Sequence, residues 1–358
     1  MKDLIVPLAK EYISIPSTAE DTDSLLKVLE SAKKQLPEYP HISFVSDGAP
    51  SLLFSNTTEP QKEFKIILNA HLDVVPATNK AQYEPYEQDG KLYGRGAYDM
   101  KSAAAVMTLV FKELGKTLPY SLGLQLTTDE EVGGQNGTKY HLDQGVRTEF
   151  CITGEGTNLR ITHAAKGILL IKLTTKGKNA HGAYPWLGKN AIWEMYEALG
   201  AIMDSYGIPE HETDATTVNL SKIETTNNAF NKVPDHCVAY LDIRYPFEEQ
   251  DTIVQAIRSL VPANIAFDVV KKPPAHHTES TNPYAVLLRK TTTDVINEEL
   301  PLRKAYGASD AAYFSAIGAG AVEFGPKGGN HHSENEWVDI QSLHDYYNIL
   351  KNFLLSIQ

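Results

Sequence analysis

The sequence predicts an α/β fold in which a mixed, mostly parallel sheet carries helices on both faces and is interrupted by an inserted α+β domain. Three observations predict it. The chain has 358 residues, more than the roughly 100–200 that one domain usually holds. Short runs rich in Val, Ile and Leu have the unbroken apolar character of strands buried on both sides, and helical patterns lie between them. From Lys166 the texture changes to a self-contained series of strand, helix, strand, strand, helix and strand. The expected boundaries follow: residues 1–165 and 279–358 form one domain and residues 166–278 the insertion.

Taken in order, the opening MKDLIVPLAKEYISIPST is broken by Pro7 and then by Lys10 and Glu11. It is too interrupted for a signal peptide or a spanning segment and reads as an amphipathic first helix. FKIILNA (Phe64–Ala70) is a buried strand that gives way to HLD. Met100–Lys116 reads as a helix with Asp99 where an N-cap belongs. SLGLQLTT (Ser121–Thr128) runs into DEEVGG, FCIT (Phe150–Thr153) into GEGTN, and AVEF (Ala321–Phe324) into GPKGGNHHSENE. In the insertion, ILLIKLTTKG, ATTVNLSKIET and HCVAYLDIRYP are strands, Asn190–Tyr206 and Glu249–Leu260 are helices, and KKPPAHHTES leads the chain back. Four strands of the first domain therefore deliver His, Asp or Glu just past their carboxyl ends, the edge at which open α/β sheets bind ligands.

Composition narrows the class. At 42% hydrophobic and 22% charged, the chain can bury enough apolar surface to fold. A formal net charge of -12 and the lack of any Lys/Arg-rich run argue against nucleic acid as a partner. Cys151 and Cys237 lie far apart, so neither a disulfide framework nor a thiolate metal site is expected, and a reducing cytoplasm fits best.

The strand ends carry the chemistry. His71 can ligate a metal through one ring nitrogen while Asp73 accepts the other N–H and fixes the tautomer. In LYGRGAYDMK, Gly94 and Gly96 allow a tight backbone path before Asp99, whose two oxygens suit a ligand bridging two cations. Glu130 and Glu131 repel each other unless a positive charge lies near, and Glu155 adds a carboxylate at another strand end. Either His331 or His332 could close the set. Two divalent cations would be balanced by Asp99, Glu131, Glu155 and a bridging hydroxide, which leaves Glu130 free as general acid/base. Such a pair lowers the pKa of water and polarises a carbonyl. Competing chemistries find little support: GASDA lacks the last glycine of a nucleophile elbow, and Gly-x-Gly-x-x-Gly is absent.

In order, HLDVVPA, GRGAYDMKSAAA, TTDEEVGG, GEGTN, NAHGAYPWLGKNAI, NKVPDHCVAYLDIR, GASDAAYF and HHSENEW span nearly the whole chain. This series resembles the co-catalytic zinc family of acetylornithine deacetylase, succinyl-diaminopimelate desuccinylase, aminoacylase and glutamate carboxypeptidase. The resemblance implies a zinc-exopeptidase-like catalytic domain and a ferredoxin-like inserted domain that serves as lid and dimerisation element. It implies that His71 and Glu155 hold one zinc, that Glu131 and His332 hold the other, that Asp99 bridges them and that Glu130 is the base. His332 is preferred to His331 because it starts the family's His-x-x-Asn-Glu pattern, here His332 to Glu336. By the same resemblance His181 reaches a neighbouring subunit's active site to help stabilise the oxyanion, Asn231 and Arg244 contact the substrate carboxylate, and Gly307–Asp310 is a substrate-side loop. Cobalt or manganese would also suit such ligands.

The expected activity is removal of the acyl group from a small N-acyl amino acid by a homodimer with no membrane partner. A dipeptidase or carboxypeptidase on the same metal core is the alternative within the class. A metal-bound but inactive binding protein is the alternative outside it.

Overall fold

A computed structural model describes residues 1–357. The chain divides into two compact units. The first comprises Met1–Ala164, His276–Ala305 and the chain from Ser309 onward, and the second Ala165–Ala275 with Tyr306–Ala308.

The first unit is built on a nine-stranded sheet. Its order runs His41–Ser46, Ala49–Ser55, Leu122–Thr127, Glu63–His71, Arg147–Thr153, Gly320–Glu323, Thr162–Ala165, His276–His277, with Arg303–Ala305 beside Thr162–Ala165. The four strands anticipated from apolar runs are the parallel heart of this sheet. Residues of one strand serve two cores. Ile66, Leu68 and Ala70 pack with the helices Ile5–Ile13, Lys101–Leu114 and Ile340–Ser356, while Phe64 and Ile67 pack with Leu142, Tyr313 and Phe314 on the other face. Burial on both faces is why these runs are mostly apolar rather than alternating, and the buried polar pair within them, Asn69 and Gln125, is joined by a hydrogen bond at 2.9 Å. The expected α/β class, with helices on both faces, is the one observed.

Helix Lys101–Leu114 is buried almost all round, as its alanines permit. The residue at its N-cap is Met100, not Asp99 as the sequence suggested, and no side chain caps it. Asp99 stands one position earlier, with its carboxylate oxygens turned to two histidines instead of to the helix amides. A separate small antiparallel sheet joins Gly328–Gly329, Trp337–Asp339, Lys91–Tyr93 and Tyr86–Gln88. It pins the GRGAYD turn to the HHSENEW loop.

The second unit is a four-stranded antiparallel sheet in the order Thr217–Thr225, His236–Tyr245, Gly167–Lys176, Ala266–Lys271. Gly167–Lys176 alternates buried and half-buried residues, and Leu169, Ile171 and Leu173 pack with helices Ala191–Tyr206 and Ile253–Leu260. The order of strands and helices is ferredoxin-like. This unit returns to the first at His276, not after Thr278. His276 and Thr278 are held to the first unit's sheet, since Thr278 donates to the Ala321 carbonyl at 2.6 Å and the His276 ring lies 2.9 Å from the same oxygen. Both cysteines are buried and unpaired. Among the described residues, no helix is long and apolar enough to cross a membrane.

Candidate metal centre

His71 ends the strand Glu63–His71 and is 1% exposed. Its Nδ1 lies 3.1 Å from the Asp73 carbonyl oxygen and 3.4 Å from Asp73 Oδ1, and its Nε2 lies 3.1 Å from Asp99 Oδ1 and 3.8 Å from Glu155 Oε1. The ring thus offers Nε2 to the carboxylates while Asp73 fixes its other nitrogen. Asp73 also accepts the amide N–H of Glu130 at 3.3 Å and of Glu131 at 3.0 Å, so one buried carboxylate orients the histidine and the following pair of glutamates together.

On the other side of Asp99, His332 Nε2 lies 3.1 Å from Asp99 Oδ2 and 3.2 Å from Glu131 Oε2. His332 has a positive φ of 60°, a conformation that non-glycine residues adopt mainly where the surroundings impose it. Donor atoms of His71, Asp99 and Glu155 lie within 4.8 Å of one another, and so do those of Asp99, Glu131 and His332. Asp99 belongs to both groups, one oxygen to each histidine. The five residues named from the sequence as ligands are the five brought together, and His332, not His331, faces the carboxylates. His331 instead has its ring 6.0 Å from that of Tyr98.

The electrostatics ask for cations. Glu155 Oε1 is buried without a hydrogen-bond partner, an arrangement that costs free energy unless a positive charge completes it. Burial and the charge of Asp99 push the Glu155 carboxyl well above its usual range. Burial and the charge of Glu155 do the same to Glu130. Burial opposes the charged form of His71, but hydrogen bonds to Asp73 and Asp99 outweigh it and raise its pKa. Hydrogen bonds to Asp99 and Glu131 push His332 up to about 10. The set of oxygens and imidazole nitrogens therefore fits two divalent ions, with a carboxylate held ready to be shared.

A pH dependence follows. Both histidines bind protons more tightly in the folded, metal-free protein than in the unfolded chain. Their stabilisation is full below the unfolded value of roughly 6.5 and is lost as pH rises, for His332 through about 10. A metal must displace those protons, so metal binding is expected to release protons and to tighten as pH is raised towards about 10. Calorimetric titration near neutral pH in two buffers of different ionisation heat checks this, and identical heats would contradict it.

The remaining residues named from sequence lie elsewhere. His181 and Asn231 are exposed neighbours in the second unit, where Gly182 N–H donates to the Asn231 carbonyl at 2.6 Å and His181 bridges to Lys232. Arg244 sits at the opposite end of that sheet, paired with Ile168 and Thr217, and makes a two-pronged ion pair with Asp242 at 2.7 and 3.0 Å. One copy of the unit thus does not bring Arg244 to His181 and Asn231. In the Gly307–Asp310 segment, Asp310 is buried and accepts from Thr138 at 2.6 Å, and burial pushes it up to about 7. Sequence reasoning met Glu336 only as the end of the His-x-x-Asn-Glu pattern and Arg95 not at all, and the two form a buried ion pair at 2.8 Å.

Residues 67–356 match the profile of peptidase family M20/M25/M40. The chain belongs to this family. A succinyl-diaminopimelate desuccinylase of Colwellia psychrerythraea is 28% identical, over 98% of this chain and 96% of the relative. Among solved structures, aminopeptidase PepT from Bacillus cereus superposes with a TM-score of 0.80 at 18% identity, covering 99% of this chain and 98% of the other. The YXEP protein of Bacillus subtilis, described as a dinuclear metal-binding peptidase, superposes with a TM-score of 0.75 at 11% identity and 99% coverage of each chain. The family brings with it the expected class, a hydrolase of amide bonds.

Proposed function

We propose that the chain is a two-metal deacylase that removes the acyl group from a small N-acyl amino acid, with zinc as the preferred ion. The single observation that carries the reading is Asp99, whose two oxygens face the two histidines of two donor groups, while Glu130 is tied through its amide to the same Asp73 that orients His71. His71 and Glu155 would hold one ion, Glu131 and His332 the other, and Asp99 would bridge. When bound, such ions lower the pKa of water, polarise the scissile carbonyl and stabilise its developing charge.

The chain's own residues do the rest. Glu130 takes a proton from the attacking water on a carboxylate oxygen and delivers it to the departing amine nitrogen. Asp73 keeps His71 in one tautomer and, through the amides of Glu130 and Glu131, keeps base and ligand in register. His181, Asn231 and Arg244 are assigned to substrate: His181 to the oxyanion of a partner copy's site, Asn231 and Arg244 to the substrate carboxylate. Arg244 and the His181–Asn231 pair lie at opposite ends of one sheet, which supports the idea that they serve different copies. Exposed Trp186, Trp193 and Tyr196 on the second unit support a homodimer. A cytoplasmic location agrees with the two unpaired cysteines.

The desuccinylase relatives favour acyl-amino acids, whereas the solved peptidases favour the second reading, a dipeptidase or carboxypeptidase on the same metal core. Zinc-loaded protein assayed against N-succinyl and N-acetyl amino acids beside a dipeptide set separates the two. Turnover of the acyl-amino acids in preference supports the proposal, preference for dipeptides replaces it with the second reading, and no turnover in either set leaves a metal-binding protein without catalysis.

A further inference from the structure

Glu336 belongs to neither donor group, yet its carboxylate is fully engaged beside them. Oε1 accepts the amide N–H of Tyr98 at 2.9 Å and of Asp99 at 3.0 Å. Oε2 accepts the amide N–H of Gly96 at 3.0 Å and an Arg95 guanidinium N–H at 2.8 Å. The Glu336 carbonyl accepts from Gly94 at 3.1 Å, and the next residue, Trp337, pairs with Tyr93 in the small sheet. Glu336 and Arg95 are 1% and 2% exposed. Three N–H groups of the short stretch from Gly96 to Asp99 therefore point at one buried anion, an arrangement that holds a carboxylate firmly. Gly96 makes the turn possible: its φ is +84°, and a Cβ there would come within 2.8 Å of Val74.

We propose that Glu336 is a positioning residue for the metal centre, and that its charge holds the ion of Asp99, Glu131 and His332 in preference to the ion of His71, Asp99 and Glu155. The inference rests on the two-metal reading above. Glu336 grips the amide of Asp99, so the shared carboxylate leaves the backbone from a fixed point. The same residue ends the loop that carries His332, so one side chain spaces Asp99 against His332. The other ligands are anchored without it. His71 ends the strand Glu63–His71 and Glu155 lies just past its partner strand Arg147–Thr153 in the large sheet, and Glu131 is held through its amide by Asp73. Loss of Glu336 thus loosens two ligands of one ion and one ligand of the other.

The test is Glu336→Gln, which keeps the shape, removes the charge and turns an NH2 group towards N–H donors. Zinc per chain is measured by elemental analysis after equilibrium dialysis over a range of free Zn2+, beside wild type and His332→Ala, with far-UV circular dichroism of each metal-free sample. The expected result is a native spectrum and a selective loss: the ion of Asp99, Glu131 and His332 weakened roughly 10–100-fold, the usual effect of removing an outer partner of metal ligands, and the other ion weakened distinctly less. The resulting curve should resemble that of His332→Ala. Glu336→Asp, which restores the charge one methylene short, should recover part of the loss, and it is read by the same criteria if Glu336→Gln does not fold. Two ions bound as in wild type would overturn the inference. So would an equal weakening of both, the pattern of a merely structural residue. Fewer than two ions in the wild type itself would remove the two-metal reading and this inference with it, and is recognised because it needs no variant.

Discussion

Glu130→Gln is expected to lower kcat by roughly 10²–10⁴-fold, the range that one general acid/base contributes, while two ions remain bound. The reason is the position of the side chain outside both donor groups. Its amide is tied to Asp73 at 3.3 Å, and its carboxyl is surrounded by Glu155, His71, Asp310 and Asp99 without sharing their ion-pair contacts. Gln matches Glu in size, so the amide tie and the ligand beside it stay in place, and what disappears is the ability to carry a proton. Burial and the charge of Glu155 raise the pKa of this carboxyl well above the ordinary value, so in the metal-free protein the neutral form persists at higher pH than for a solvated glutamate. A cation beside Glu155 offsets that repulsion. Elemental analysis and steady-state kinetics on one sample decide the matter. Full metal content with unchanged kcat would remove Glu130 from the chemistry.

The second large effect belongs to Asp99→Ala. This residue supplies an oxygen to each donor group, 3.1 Å from His71 Nε2 and 3.1 Å from His332 Nε2, so its loss weakens both ions at once. A change in an outer partner costs roughly 10–100-fold in metal affinity, and loss of a shared ligand is expected to exceed this for each ion, with activity lost at ordinary metal concentrations. His71→Ala and His332→Ala provide the comparison, because each removes a donor from one group only. Zinc titration followed by competition with a chelator of known affinity reads the two ions. If Asp99→Ala weakened only one of them, the bridge would be wrong even though the donor groups were right.

Much of this candidate centre was legible in the chain because its donor residues sit where a physical change is visible in sequence. Phe64–Ala70 is apolar on both faces and His71 is the first residue past it, so a histidine that emerges from a buried strand stands out. The same holds for Glu130 and Glu131 after Leu122–Thr127 and for Glu155 after Arg147–Thr153. Asp99 was expected both to cap the helix and to offer two oxygens to cations, and only the first expectation is corrected. A carboxylate before an alanine-rich helix reads as a cap, whereas this one precedes the cap and serves the histidines. The small sheet that pairs Lys91–Tyr93 with Trp337–Asp339 has strands too short for any periodicity to show, and it joins segments from opposite parts of the chain. The work of Glu336 was hidden for a related reason. Its partners are mostly backbone N–H groups, which every sequence possesses and no sequence displays. The role proposed for His181 requires a second copy, and it comes from the resemblance to a family alone, because no residue pattern in one chain displays a contact to another.

The order of ligands along the chain has a mechanical consequence. His71, Asp99, Glu131 and Glu155 precede the long excursion that begins at Ala165, and His332 follows it. An ion held by Asp99, Glu131 and His332 would therefore act as a clasp across the base of a loop as large as a domain, joining stretches that the unfolded chain keeps far apart. Because the unfolded chain offers no such set of donors, each tenfold rise in free metal above the dissociation constant should add about 1.4 kcal/mol to the stability of the folded unit. The catalytic ion would double as a rivet, so that loss of metal would lower the stability of the folded unit as well as its activity.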